Sequence, residues 1–436
     1  MALQFTTAIR GNFFDITACV EEPQQLDERL RHIPDGLLLL NEGTIVWFGS
    51  WQQGEALLPP GFAVTEYRDK PIVPGFIDTH IHYPQTEMIG AYGDQLLGWL
   101  NNYTFPTESR YGCEQHADEM SAFFLRELLS NGTTTALVFG SVHPQSVDAL
   151  FTQAQALNMR LIAGKVMMDR HAPQALLETP EQSYRQTREL IERWHGKGRL
   201  HYAVTPRFAP TSTPEQLTLA GQLLTEYPDL YMQTHISENL QEIQWVKELF
   251  PERKGYLDVY DHYQLLGERS VFAHGVHLCD DECARLAETG SAVAFCPTSN
   301  FFLGSGLFNL PMAEKHKLNV GLGTDVGGGT SFSLLQTLNE AYKVMQLQGA
   351  RLSPFKSLYL ATLGGARALR LEDKIGTLHP GTDADFLVLD YHATPLLSYR
   401  LKQANSIAET LFVLMTLGDD RTVLQTFAAG RQVHQR

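Results

Sequence analysis

Residues 72–82 read Ile72-Val73-Pro74-Gly75-Phe76-Ile77-Asp78-Thr79-His80-Ile81-His82. An apolar run rich in branched residues, expected as a strand over 72–77, passes into a polar tail with two histidines two positions apart. Residues i and i+2 of an extended chain project from the same face, so His80 and His82 can reach one point as a chelate. Two histidines in a strand are as readily a pair of buried, hydrogen-bonded imidazoles, and the rest of the chain has to decide between these readings.

Seven further apolar runs follow, near 133–139, 159–166, 200–206, 230–235, 270–274, 291–296 and 318–324, and amphipathic stretches such as 114–129 and 214–227 lie between them. This alternation predicts βα units and a parallel sheet. Eight such strands predict an α/β fold, a (β/α)8 TIM-like barrel over residues 71–374. The flanking segments 1–70 and 375–436 hold short extended stretches at 8–11, 36–40, 43–49, 375–378, 384–389 and 422–427, which predict a small β-sandwich domain formed from both chain termini. The insert at 84–110, aromatic and glycine-containing, follows the first strand without another strand and is expected to act as a lid.

Catalytic groups of such a barrel gather at the C-terminal ends of its strands. Strand five runs into His235, strand six into His274 and strand eight into Asp325. With His80 and His82, His235 and Asp325 make an imidazole and carboxylate set suited to a catalytic divalent metal with one position left for water. His274 is then free to hold that water. Any one of these residues alone reads more easily as structural, but strand ends that supply only metal-competent groups to one face favour a metal site. Glu238, three residues after His235 and at the expected start of a helix, has two readings. It is a proton shuttle for metal-assisted hydrolysis, or it complements the helix N-terminus, an effect of about 0.3–1 kcal/mol.

These motifs, with Thr234-His235-Ile236-Ser237-Glu238-Asn239 and Gly323-Thr324-Asp325, resemble the amidohydrolase superfamily. Four further stretches bring the resemblance close to its guanine-processing, mononuclear members: His82-Tyr83-Pro84-Gln85, Thr205-Pro206-Arg207-Phe208-Ala209-Pro210-Thr211, Cys296-Pro297-Thr298-Ser299-Asn300 and Leu303-Gly304-Ser305-Gly306. The resemblance implies one Zn2+ per chain, held by His80, His82, His235 and Asp325. It implies catalysis by Glu238, His274 and Asp325, with Glu238 moving protons and His274 beside the attacking water. The substrate would be bound by His82, Gln85, Arg207, Phe208, His235 and Glu238. The implied reaction is hydrolysis of guanine to xanthine and ammonia, with another amino-heterocycle (an oxidised purine, a pterin or a triazine) as the alternative. Two-metal members carry a bridging lysine at the end of strand four. Here that strand ends in Thr205-Pro206-Arg207-Phe208, and Lys165 belongs to strand three.

Bulk composition fits a small-molecule enzyme. The chain has 436 residues, 43% hydrophobic and 19% charged, the balance of a globular protein. With 34 basic and 49 acidic residues the net charge is −15, and no basic cluster interrupts it, which argues against a nucleic-acid partner. No apolar run approaches the ~20 residues that span a bilayer, and the first residues lack a charged start followed by an apolar core. No membrane association and a cytoplasmic location are therefore expected. Cys19, Cys113, Cys279, Cys283 and Cys296 form no CxxC pair, which argues against a disulfide framework or a zinc finger, and most are expected to be buried thiols. The cysteine-ligated H-x-E…P-C-x-x-C arrangement of other zinc deaminases is also missing. A homodimer is an expectation from the superfamily alone, since no surface stripe in the sequence marks an interface.

Overall fold

The computed structural model describes residues 3–18, 29–93 and 95–436. Eight parallel strands surround its core: β1 Phe76–His82, β2 Thr133–Phe139, β3 Arg160–Gly164, β4 Leu200–Pro206, β5 Tyr231–Ile236, β6 Ser270–His274, β7 Ala292–Phe295 and β8 Asn319–Leu322. They neighbour one another in chain order, with a two-residue strand, Val166–Met167, added on β4. The chain leaving β8 returns to β1. Asp325 N–H donates to His80 O at 2.9 Å, and His82 N–H donates to Val326 O at 3.0 Å. Thr79 Oγ1 donates to Leu322 O at 3.0 Å. Helices such as Glu114–Ser130 and Pro214–Glu226 pack their apolar faces on the outside of the strands, while Ile77, Leu137, Ile162, Tyr231 and Val271 fill the inside. The fold is a TIM-like α/β barrel.

The first barrel strand begins four residues later than the sequence pattern predicts. Val64–Pro74 is a strand of a different sheet, and the chain crosses into the barrel at Gly75. Pro74 has no N–H with which to continue a ladder. Gly75 N–H donates to Asp385 O at 2.9 Å and Phe76 N–H to Gly132 O at 3.0 Å. A Cβ on residue 75 would lie 2.0 Å from Thr134 Oγ1, so glycine is required for this passage. His80 and His82 consequently stand inside β1 and not after it, where the two-residue repeat of the strand aims both at the barrel mouth. His235 likewise lies within β5. Lys165 falls in the gap between β3 and Val166–Met167, with its ammonium bonded to Glu178.

The terminal segments meet in one seven-stranded sheet, in the order Arg431–Gln435, Val423–Ala428, Phe386–Leu389, Val64–Pro74, Thr7–Ile16, Leu30–Asn41, Thr44–Ser50. Every neighbouring pair is antiparallel except Thr7–Ile16 with Val64–Pro74, which is parallel. Residues 375–378, expected to be extended, instead form a turn in which Gly376 takes a φ of +90° and Leu378 N–H donates to the buried Asp15 carboxylate at 2.7 Å. Arg160, at the start of β3, pairs with Asp383 at 2.6 Å and so ties the barrel to the approach of the terminal sheet. Among the described cysteines, Cys283 and Cys296 are buried, whereas Cys113 and Cys279 are exposed, so the expectation of mostly buried thiols holds for two of the four. Cys19 lies outside the described residues. Among the described residues, no helix is long and apolar enough to cross a membrane.

The β1–β8 seam converges on one buried carboxylate. Asp78 accepts from Thr324 N–H at 3.1 Å, from Thr324 Oγ1 at 2.5 Å and from His80 N–H at 3.1 Å. Burial pushes its carboxyl up to about 7, and these hydrogen bonds oppose that rise. Asp78→Ala strands three buried donors and is expected to cost about 2–4 kcal/mol, read as a lower midpoint of chemical denaturation. An unchanged midpoint would show that the seam holds without it.

Candidate functional site

At the barrel mouth four imidazoles and a carboxylate come together. His80, His82 and His235 form one group, and His80, His274 and Asp325 another, with the ligand-type atoms of each group within 4.8 Å of one another. His80 Nε2 lies 3.2 Å from Asp325 Oδ1 and His82 Nε2 lies 3.5 Å from the same oxygen. His82 Nε2 and His235 Nε2 are 3.0 Å apart. His235 Nδ1 bonds Arg207 O at 2.7 Å, which places the proton on Nδ1 and leaves the Nε2 lone pair facing the cluster. Burial drives His82 and His235 well below the ordinary imidazole range, reinforced by neighbouring histidines, so both are neutral donors. Burial works to raise Asp325, but the histidines around it overrule burial and hold it ionised far below its usual range.

The donor set suits a metal ion. His80 Nε2 is buried without a hydrogen-bond partner, and the Nε2 atoms of His82 and His235, 3.0 Å apart, can both turn a lone pair to a cation when each ring carries its proton on Nδ1. Phe139, at the end of β2, packs on His80, His82 and His235 with ring centroids 5.1, 4.6 and 4.8 Å away. It makes the wall behind the cluster apolar.

Glu238 is not in the helix at whose N-terminus the sequence places it. The helix is Leu240–Leu249, with Asn239 as its cap and Glu242 completing a capping box. The Glu242 carboxylate accepts the backbone N–H of Glu238 at 2.9 Å and of Asn239 at 3.1 Å, so Glu242 does the capping and Glu238 is released to face the pocket. Glu238 Oε1 accepts from Ser305 Oγ at 2.9 Å, and its Oε2 lies 3.5 Å from His274 Nε2. Burial raises the Glu238 carboxyl to about 7 against the pull of His274. His274 Nδ1 bonds Asn300 Oδ1 at 2.9 Å, and its Nε2 is 3.7 Å from Asp325 Oδ2. Burial alone would lower His274, but the Glu238 and Asp325 carboxylates outweigh it and the net shift is upward. His274 and Asp325 hold φ values of +72° and +51°. Such left-handed conformations cost non-glycine residues on the order of 1–3 kcal/mol and cluster at functional sites.

These groups open into a pocket lined by His82, Gln85, Arg207, Phe208, His235, Glu238, His274 and Asp325 together with Leu96, Trp99, Leu100, Glu242, Leu303 and Gly328. Every site residue expected from the sequence lines it except His80, which stands directly behind as a cluster member. Leu96, Trp99 and Leu100 come from the insert, which roofs the cavity. Sequence reasoning missed Glu108, Asn300, Ser305, Glu242 and Phe139. Asn300 and Ser305 lie in stretches whose resemblance was visible but which carried no role. Glu108 gives no local signal, being one acid in an aromatic insert, and only the tertiary fold brings it to Gln85 and Arg207.

A TIM-like barrel with a His/Asp cluster at its mouth, next to a buried carboxylate and an enclosed pocket, defines a class: barrel hydrolases with a metal centre between the strand ends. A sequence profile of the Amidohydrolase family matches residues 72–433, and the chain belongs to that family. It is 59% identical to the guanine deaminase of Escherichia coli strain K12 over 98% of both chains. A solved structure of E. coli guanine deaminase superposes with a TM-score of 0.97 at 59% identity, over 99% of this chain and 100% of that one. The guanine deaminase of Bradyrhizobium japonicum superposes with a TM-score of 0.96 at 39% identity, over 99% and 100%.

Because Asn300 holds His274 by its outer nitrogen, Asn300→Ala is expected to lower kcat about 10- to 100-fold while KM stays nearly constant. Steady-state kinetics check this, and a KM effect without a kcat effect would place Asn300 in binding instead.

Proposed function

We propose that the chain hydrolyses guanine to xanthine and ammonia at a single zinc ion held by His80, His82, His235 and Asp325. The observation that carries this reading is the juxtaposition of the His/Asp cluster, the buried Glu238 carboxylate, and a pocket whose polar lining is Gln85 and Arg207. Near full-length similarity to guanine deaminases supports the same substrate. A three-imidazole, one-carboxylate set without thiolates suits zinc, and the apolar Phe139 wall, with no lysine at the end of β4, supports one ion and not two.

When bound, the ion acidifies a water and favours its attack at neutral pH. Glu238 takes a proton from that water as its oxygen adds to C2 of the ring, and passes it to the adjacent ring nitrogen. Glu238, again a carboxylate, then takes the remaining proton of the C2 hydroxyl and delivers it to the amino nitrogen as the C2–amino bond breaks, so that ammonia leaves and a carbonyl remains at C2. Asp325 and His274 hold the attacking oxygen in line, and the upward shift of His274 fits a cationic donor there. Arg207 donates to the ring carbonyl, Gln85 bonds the ring edge, and Phe208 covers a face of the ring. A homodimer and a cytoplasmic location are proposed from family habit; light scattering and fractionation test them.

Ammonia release from a panel of guanine, oxidised purines, pterins and triazines tests the substrate, and faster turnover of another ring would overturn guanine. Metal analysis is expected to give about one zinc per chain; a value near two would overturn the mononuclear site. Glu238→Gln is expected to keep the metal and lose turnover by about three orders of magnitude or more. The carboxylate form of Glu238 is the active one, so kcat/KM should fall as pH drops through its pKa. Burial sets that value to about 7 and a neighbouring dication draws it lower, which places the acid limb at or below about pH 7. A profile flat on the acid side would exclude Glu238 as the proton acceptor.

A further inference from the structure

Glu108 closes the short helix Phe105–Glu108 of the insert and is fully buried. Its Oε1 accepts from Gln85 Nε2 at 3.0 Å and its Oε2 accepts from Arg207 Nη1 at 2.7 Å. The other end of the Gln85 amide is also fixed, since Gly327 N–H donates to Gln85 Oε1 at 3.2 Å. Glu108 is itself held to the barrel, because Ser141, just past β2, donates its hydroxyl to Glu108 O at 3.0 Å. The ring of Phe105 lies 5.5 Å from the Arg207 guanidinium carbon.

We propose that Glu108 is the positioning residue that sets substrate specificity, by fixing which hydrogen-bonding atoms of Gln85 and Arg207 remain for the ring. The inference rests on the reading of Arg207 as the partner of the guanine carbonyl.

The argument is one of counting. An amide flips freely unless its two ends meet different partners, and here the nitrogen meets a carboxylate while the oxygen meets an N–H. Gln85 therefore keeps one N–H and one oxygen lone pair, in a single orientation. Arg207 spends one N–H on Glu108 and keeps the rest of its fork. The charges also balance. An unpaired guanidinium beside a cluster built for a cation would oppose metal binding and would favour an anionic ligand, whereas the Arg207–Glu108 pair sums to zero and suits a neutral ring that offers a carbonyl oxygen. The pair is buried on both sides, with side chains 3% and 1% exposed, so solvent does not substitute for either partner.

Glu108→Gln is nearly isosteric, and whichever way its amide sits, its single oxygen can accept well from only one of Gln85 and Arg207. With zinc-loaded full-length enzyme, KM for guanine should rise about 10- to 100-fold while kcat, bound zinc and melting temperature stay close to the parent. On an Arg207→Met background the same substitution should add little, because its route to the substrate is already cut. Should Glu108→Gln fail to fold, Glu108→Asp keeps the charge, draws the carboxylate back by one carbon and should raise KM in the same way. A KM within about twofold of the parent, a fall in kcat and melting temperature at constant KM, or losses that simply multiply with Arg207→Met would each overturn the proposal. Failure of the parent enzyme to turn over guanine would instead overturn the function reading, and this inference with it, before any variant is made.

Discussion

Three neutral imidazoles and one ionised carboxylate are held within a few ångströms of each other in a buried cavity, and much of the molecule exists to keep them there. The arrangement is unfavourable without a cation: imidazole nitrogens crowd together, a carboxylate is desolvated, and His80 Nε2 lacks a partner. The barrel supplies the rigidity this needs. His80 and His82 stand in β1, His235 in β5 and Asp325 just past β8, and the strands are held in register by ladders with their neighbours. The β8 to β1 junction is joined by backbone hydrogen bonds at His80 and His82 themselves. Closing the barrel and building the cluster are thus a single structural event, with Asp78 beneath it binding both sides of the seam.

The same economy appears one turn away at Glu238. A carboxylate just before a helix would ordinarily be drawn to the free N–H groups there. Glu242 and Asn239 satisfy those groups instead. Glu238 is left with a single hydroxyl partner, Ser305, and with His274 opposite. Burial can then raise its proton affinity toward neutrality, the range in which a proton acceptor and donor works best. A capping box usually stabilises a helix; this one also sets the chemistry of the residue before it.

The sequence made the barrel legible because its signal is repetitive: eight apolar runs separated by more polar or amphipathic stretches, seven of which fall on observed strands. The first was misplaced because Pro74 and Gly75 divide one apolar run between two sheets, and local pattern cannot say where a strand changes partners. The His/Asp cluster was legible for the same reason as the barrel, since strand ends are marked by the change from apolar to polar. His274 and Asp325 were found this way even though each adopts a left-handed backbone that no local rule foretells. Glu108 could not be found. It acts across 23 residues from Gln85 and 99 from Arg207, its helix is four residues long, and its surroundings carry no period.

The insert was read as a cover, and the fold gives it a second task. Its apolar side chains Leu96, Trp99 and Leu100 roof the pocket, which excludes water and strengthens every electrostatic contact beneath. Its last buried residue, Glu108, reaches under that roof to the polar edge. Roof and specificity determinant therefore lie on one short segment, anchored at Ser141 beside the end of β2. Any change in how this segment seats would alter water exclusion and ring recognition together. The tightness of closure over the ring and the choice of ring are thereby coupled in the construction of the site.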